Sequence, residues 1–332
     1  MFRKKIYRLL TIALVIPLIS CGGSSMELSY DGTTINVPDF TPGTASPTQV
    51  VSIGPITAQS GLTVNSVVYD TDNATIRING EPGTVDDLHP GYVVAVHGML
   101  DAGWKSGTAE RIAYDANVIG PIEEADPAGR RLSVMGQRVQ IGADTRFEPP
   151  LDSDALFNLA VGTPVQVSGL TNADGEIVAT HVQIDPDREK VQVIGKISEL
   201  DYAAMGFRIN GLNVDYGSTL IMELPGGAPG HGMVVIARGS LDSDGELQVS
   251  ELMSHVDTSG FSAGSLVQLT GFVTRYNPGV RLFVNSLDIE TEFHTIFHNG
   301  LFSDLSLGIK VEVDGRWGIG NRVIADQLWF LN

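Results

Sequence analysis

The stretch Leu159-Ala160-Val161-Gly162-Thr163-Pro164-Val165-Gln166-Val167-Ser168-Gly169 decides the fold. Two glycines seven residues apart frame a run in which Val165 and Val167 alternate with Gln166 and Ser168. Apolar and polar residues alternating with period two mark a strand with one buried face. The same frame recurs at Gly91 and Gly98, Gly232 and Gly239, and Gly308 and Gly315. The third and fifth residues after the first glycine are again small and apolar: Val94 and Val96, Val235 and Ala237, Val311 and Val313. A frame that returns at one spacing is an internal repeat, and a repeat governs the reading of the whole chain.

Working outward, a second anchor precedes each frame: Gly54-Pro55-Ile56, Gly120-Pro121-Ile122, Gly195-Lys196-Ile197 and Gly271-Phe272-Val273. From this glycine to the first of the framing pair the distances are 37, 42, 37 and 37 residues, which places an insertion in the second copy. Between the anchors lie Val64-Asn65-Ser66, Ile209-Asn210-Gly211 and Val284-Asn285-Ser286, with Val134-Met135-Gly136 as a degenerate version. Asn-Gly and its relatives accept the positive φ angles of a two-residue turn, so strands two and three of each copy form a hairpin. After each frame come another turn and a last alternating run, such as Ala179 to Val182 or Ala325 to Leu328.

About five short strands per copy is the content of a small closed barrel, and closure removes aggregation-prone sheet edges. The expected fold class is therefore all-β, with four tandem five-stranded OB-like or SH3-like barrels at residues 50–116, 117–187, 190–257 and 264–332. Strand order within each barrel is left open by the pattern. Short joints between the copies predict a semi-rigid rod.

The combined string resembles the repeat of bacterial lipoproteins that carry the domain of unknown function 5666. It consists of Gly-x-Ile, an Asn-Gly hairpin, Leu-x-x-Gly-x-x-Val-x-Val-x-Gly and a closing Asp-Gly-x-x-x-Ala turn and strand. The match runs from about residue 50 to 332 and is best at Leu159 to Gly169 and Leu305 to Gly315. Copy three departs at Pro225 to Gly232, where the pattern expects a leucine three residues before the glycine. The resemblance implies an exported β-barrel array and carries no activity or site residues.

The first residues read as an address. Arg3, Lys4, Lys5 and Arg8 precede the apolar run Leu9 to Leu18, the order of charge and hydrophobicity in a secretory signal. The run is too short to span a bilayer comfortably. It ends in Leu18-Ile19-Ser20-Cys21, which resembles a lipobox and implies cleavage after Ser20 with lipid attachment at Cys21. Cys21 is the sole cysteine, so an exported chain of this sequence has no internal disulfide. The expectation is a 1–20 signal peptide, a flexible 21–49 tether rich in Gly, Ser, Thr and Pro, and anchorage in the cell envelope. The outer membrane is the expected address, because Gly22 and not Asp follows the cysteine.

Loss of residues 1–20 removes four basic residues and no acidic ones, taking the formal charge from −18 to −22. Arg130-Arg131 is the only adjacent basic pair that remains. A chain so charged has no basic stripe for a phosphate backbone, which excludes nucleic acid as a partner.

Individual residues offer few sites. His294 and His298 are four apart, a metal-ligand spacing only on a helix, and the repeat puts them on strand three or just after it. Asp70-x-Asp72, Asp152-x-Asp154 and Asp242-x-Asp244 resemble the start of calcium loops but lack the closing ligands, and turn chemistry explains them. No metal or cofactor is expected, and with no Gly-x-Ser-x-Gly elbow or adjacent nucleophile and base, no enzyme. Trp104 and Trp317 fall at or beside the turn after the second framing glycine and are the candidate ligand platform. The expected role is a non-catalytic, lipid-anchored stalk or interaction scaffold for an envelope protein or glycan. The alternative is binding of polysaccharide or peptidoglycan through the two tryptophans.

Overall fold

A computed structural model describes residues 27–30, 33–36, 47–58, 61–149, 151–185, 190–255, 261–277 and 281–331. Cys21 and the apolar run before it lie outside the described residues. Residues 1–45 and 46–332 form separate units. In the first, Glu27–Tyr30 pairs antiparallel with Thr33–Asn36, so the stretch read as a tether contains a hairpin. The intervening Asp31-Gly32 is the sequence signal for it.

The second unit is built from the repeat. In residues 118–184 the strands are Val118–Asp126, Arg131–Val134, Gln137–Phe147, Pro164–Thr171 and Ile177–Ile184. The first pairs with the second and the fourth, the second with the third, and the third runs parallel to the fifth, which pairs with the fourth. This closed cycle, 1-2-3-5-4-1 with one parallel pairing, is the OB-like barrel, and it decides between the two barrels the sequence left open. Leu266–Leu331 traces the same cycle. So do Thr48–Tyr114 and Val191–Ser254.

The sequence anchors now have physical causes. Asn65 and Ser66, Met135 and Gly136, and Asn285 and Ser286 all have φ between 47° and 69°, the mirror-image turn that joins strands two and three. The first framing glycine sits at positive φ in every copy (97°, 86°, 84° and 81°), where an L side chain is strained. Its N–H donates to the carbonyl of the Gly-x-Ile anchor: Gly91 to Ile56, Gly162 to Ile122, Gly232 to Ile197 and Gly308 to Val273. Two motifs some 37 residues apart in the chain are thus hydrogen-bonded neighbours.

The second framing glycine answers to space instead. At each one the pairing of strands four and five shifts register. A Cβ on Gly98, Gly169, Gly239 or Gly315 would lie 1.9 to 2.5 Å from a carbonyl oxygen of strand five. The bulge brings two backbones too close for any side chain.

The alternating residues fill the barrels as expected, with Val94, Val96, Val165, Val167, Val235, Ala237, Val311 and Val313 all within 1% of complete burial. The five extra residues of copy two are accounted for by the helix Ser153–Phe157, capped by the Asp152 carboxylate, which sends Leu156 into the core. The first and fourth copies have a single three-residue helical turn there, at Val85–Asp87 and Phe302–Asp304, and the third has the tight turn Pro225–Gly227 with Gly226 at φ 81°. Leu88 and Leu305 are the buried leucines of the pattern. In copy three Pro229 stands at that position and is also buried, so proline fills the leucine's place.

The modules do not follow one another as a rod. Leu266–Leu269 of the fourth runs parallel beside Val50–Ile53 of the first, so the two share one sheet. Val118 and Ile119 of the second pair with Val193 and Gln192 of the third in the other. Short joints leave a chain free to turn back whenever first strands have an open side to pair, and here they do.

Candidate binding site

The residue just before the second framing glycine is the position at which modules meet. It is His97, Ser168, Arg238 and Asp314 in the four copies, side chains with nothing in common chemically. Being next to the bulge, each stands on the outer face of its barrel, and Ser168 and Arg238 reach across to different neighbours.

Ser168 closes the joint of the first and second modules, its Oγ accepting from the Val93 N–H at 2.9 Å. Around it Gln166 donates to the hydroxyls of Tyr92 (3.0 Å) and Tyr114 (3.3 Å) and accepts from Asn79 (2.9 Å). Tyr92 in turn donates to Gln183 at 2.7 Å, and its ring stacks on Tyr114 at 3.8 Å. Burial raises both phenols above their usual pKa, so they remain protonated donors. His181, T-shaped against Tyr92 at 4.9 Å, is pushed down to about 4 by burial, with His89 and Arg146 adding to the effect, and is neutral at pH 7. Arg238 holds the third module to the chain between the first two: it pairs with Asp115 and with Glu251 at 3.2 Å, and its Nε donates to the side-chain Oε1 of Gln192 at 2.6 Å. The hairpin tips are used in the same way. Asn210 donates to Gln137 at 2.7 Å, and Thr270 donates to Asn65 at 2.9 Å.

Asp314 differs. It lies opposite Gln268 on the first strand of its own barrel, where the fourth module meets the first. Burial lifts its carboxyl to about 6, the Glu312 and Asp326 charges add to this, and Gln268 offsets part of it. A cavity opens beside it, with Trp104 on its wall.

The two tryptophans therefore part company. Trp104 is 38% exposed, at φ +59° in the turn after the fourth strand of the first module. Trp317 is not a surface platform: it is 6% exposed, belongs to the core of the fourth barrel and packs on Phe261 at 4.4 Å. Its place on the strand just beyond the bulge turns the indole inward, a direction that the sequence spacing alone left open.

His294 and His298 both lie on the strand Leu287–His298. His298 stacks on Trp329 at 4.6 Å and bonds Gln327, and His294 lies 3.3 Å from Glu292. The aspartate pairs are turn builders: Asp70 accepts from Asp72 N–H, Asp152 from Asp154 and Ala155, and Asp242 from Asp244 and Glu246. Among the described residues no group of three or more His, Cys, Asp or Glu side chains is placed to hold a metal ion. No helix among them is long and apolar enough to cross a membrane.

The family model described as a domain of unknown function (DUF5666) matches this chain at residues 50–113, 119–183 and 270–328. The chain belongs to the DUF5666 family. Its three matched regions coincide with the first, second and fourth barrels, and the departure at Pro225 to Gly232 falls in the third. No curated protein matches the chain. A solved structure titled drosophila Unr CSD456 is 14% identical over an alignment covering 66% of this chain and 98% of that one, with a TM-score of 0.15. At that value the likeness carries no argument about this DUF5666 chain.

Sequence reasoning missed the residue before the bulge glycine. The signal was present: within a frame whose glycines and inner valines repeat, this polar position changes from copy to copy.

Proposed function

We propose that the protein is a non-catalytic, lipid-anchored envelope protein whose barrels dock on one another to form a single interaction scaffold. The observation that carries the reading is the seam chemistry. The same repeated position joins the second module to the first through Ser168 and the third to the Asp115 stretch through Arg238, with different chemistry each time, so the copies are specialised to assemble and not merely strung in series. Lipid at Cys21 supplies the membrane attachment, and an envelope protein or glycan is the partner.

The test is capture from envelope extract by the acylated full-length protein and by variants with seam residues changed, Gln166→Ala and Arg238→Ala. A scaffold loses its partner when a seam opens, whereas independent binding modules keep theirs. Capture unaffected by both changes overturns the scaffold. Cys21→Ser tests the anchor: the protein is expected to leave the membrane fraction, and retention there removes lipid attachment at this residue.

A further inference from the structure

His181 belongs to the last strand of the second module, yet its side chain is buried against the first. Its ring meets Tyr92 edge to face at 4.9 Å and stacks on His89 at 6.0 Å. The Gly91 backbone packs on the same spot: a Cβ there would lie 2.5 Å from the Thr180 carbonyl oxygen and 3.1 Å from His181 Cβ. Only 2% of His181 is exposed, and its buried Nδ1 has no hydrogen-bond partner. A neutral ring can carry its proton on Nε2 and leave Nδ1 an unmatched acceptor. The imidazolium donates from both nitrogens, so in the closed seam it would bury a charge with an unmatched donor, which costs more.

The charges around the ring do not offset this. Arg146, in register with His181 on the third strand of its own module, and His89 of the first module both oppose a positive ring. The carboxylate beside them is Glu148, whose Oε2 lies 3.7 Å from His181 Nε2 and 3.6 Å from His89 Nδ1. One oxygen thus faces two rings, and Glu148 is 44% exposed, where water screens it. Asp87 acts on His89, Tyr92 remains a neutral phenol, and Ser168, opposite His181 on the fourth strand, carries no charge. Burial first, and then His89 and Arg146, hold the ring down at about 4 against an ordinary 6.5.

The two modules can part without breaking a barrel. The apolar cores of the first and second are separate clusters, with Ile119 at the joint packing in the first. Across the seam run the polar contacts of Tyr92 with Gln166 and Gln183 and of Val93 with Ser168.

We propose that the seam between the first and second modules is an acid-operated latch, in which protonation of His181 parts the two modules while each barrel stays folded. The open seam holds the proton more tightly, so the closed seam is fully stable above about pH 6.5 and weakens as pH falls towards 4. A ring that titrates at 6.5 when open and about 4 when closed makes opening about 30-fold more favourable at pH 5 than at pH 7.5. Asp314 titrates nearby with the opposite sign, but it stands at the seam of the first and fourth modules. The latch rests on the docked arrangement of the scaffold reading and needs neither its lipid nor its partner.

The test follows the Val93 N–H, which donates to Ser168 Oγ across the seam. Its hydrogen exchange is measured in the full-length protein in detergent, with the pH dependence of intrinsic exchange divided out. The Gly91 and Gly308 N–H groups, bonded inside their barrels to Ile56 and Val273, are the controls. From pH 7.5 to 5 the protection of Val93 is expected to fall about 30-fold while the controls hold. His181→Phe and His181→Asn carry no titrating ring, and both are expected to keep Val93 protection level over this range. The first keeps a ring against Tyr92, and the second covers the case in which the larger ring disturbs the seam. Val93 protection that ignores pH in the parent, an equal fall in both variants, or a parallel fall in the controls overturns the latch. An unprotected Val93 already at pH 7.5 overturns the docked arrangement itself, and the latch with it.

Discussion

The seam between the first and second modules and the seam between the first and fourth share one repeat position, filled by Ser168 in the former and Asp314 in the latter, and are finished differently. In the former, the Gln166 amide satisfies Tyr92, Tyr114 and Asn79 at once, and Ser168 closes the edge. In the latter, Asn65 and Thr270 complete one half, while Gln268 Oε1 and Asp314 Oδ1 are buried without a hydrogen-bond partner. The difference teaches that docking is a property of the scaffold position, whereas its saturation depends on which residue stands there. A saturated seam adds hydrogen bonds to stability, and an unsaturated one carries the cost of desolvated acceptors.

Four substitutions sharpen this contrast. The largest effect is expected for Trp317→Ala, which empties a fully packed site in the fourth barrel and should cost about 3–5 kcal/mol in chemical denaturation. A loss comparable with that of an exposed residue would return Trp317 to the surface. Gln166→Ala comes next. It strips donors and an acceptor from a buried network and should cost about 2–3 kcal/mol; a neutral result would mean that the seam is held by the tyrosine rings alone.

Asp314→Asn should move the other way. Its carboxyl titrates near 6 in the folded chain against 3.8 unfolded, so the native state holds its proton more tightly. The resulting stabilisation is complete below about pH 4 and is lost as pH rises through 6, because an ionised Asp314 is disfavoured where it lies. Asparagine at this position should therefore raise stability by about 1–2 kcal/mol at pH 7.5, with the gain vanishing near pH 4. A pH-independent gain would trace it to packing instead of charge. The smallest effect is expected for Trp104→Ala, within about 0.5 kcal/mol of the parent. The contrast with Trp317 is then a direct measure of how differently the fold uses two tryptophans that sit near corresponding turns.

Much of the fold was legible in the sequence because its rules are local. Val165 and Val167 had to face inward once they alternated with Gln166 and Ser168, and Asn65-Ser66 had to turn because few residues accept two positive φ angles in succession. The candidate site was less legible. Trp104 and Trp317 both lie near the turn after the second framing glycine, yet Trp317 stands two residues after Gly315, where Leu100 is buried after Gly98, and packs inward on Phe261, while Trp104 stands six residues after Gly98, out in the turn.

The sequence by itself determined the repeat, the hairpins, the buried stripe and the recurrence of both framing glycines, since each is visible in local spacing and alternation, whereas the reason for the second glycine, the close approach of strand five, is tertiary. Only the tertiary structure decided the 1-2-3-5-4-1 strand order, the return of the fourth barrel onto the first, and the meeting of Gln268, Asp314 and Trp104. The strand order depends on pairings that close within one barrel, and the return of the fourth barrel and the approach of Trp104 depend on edges that meet across more than 150 residues of chain. That choice is made by the shape and hydrogen-bonding demands of whole barrels, and no local pattern encodes it.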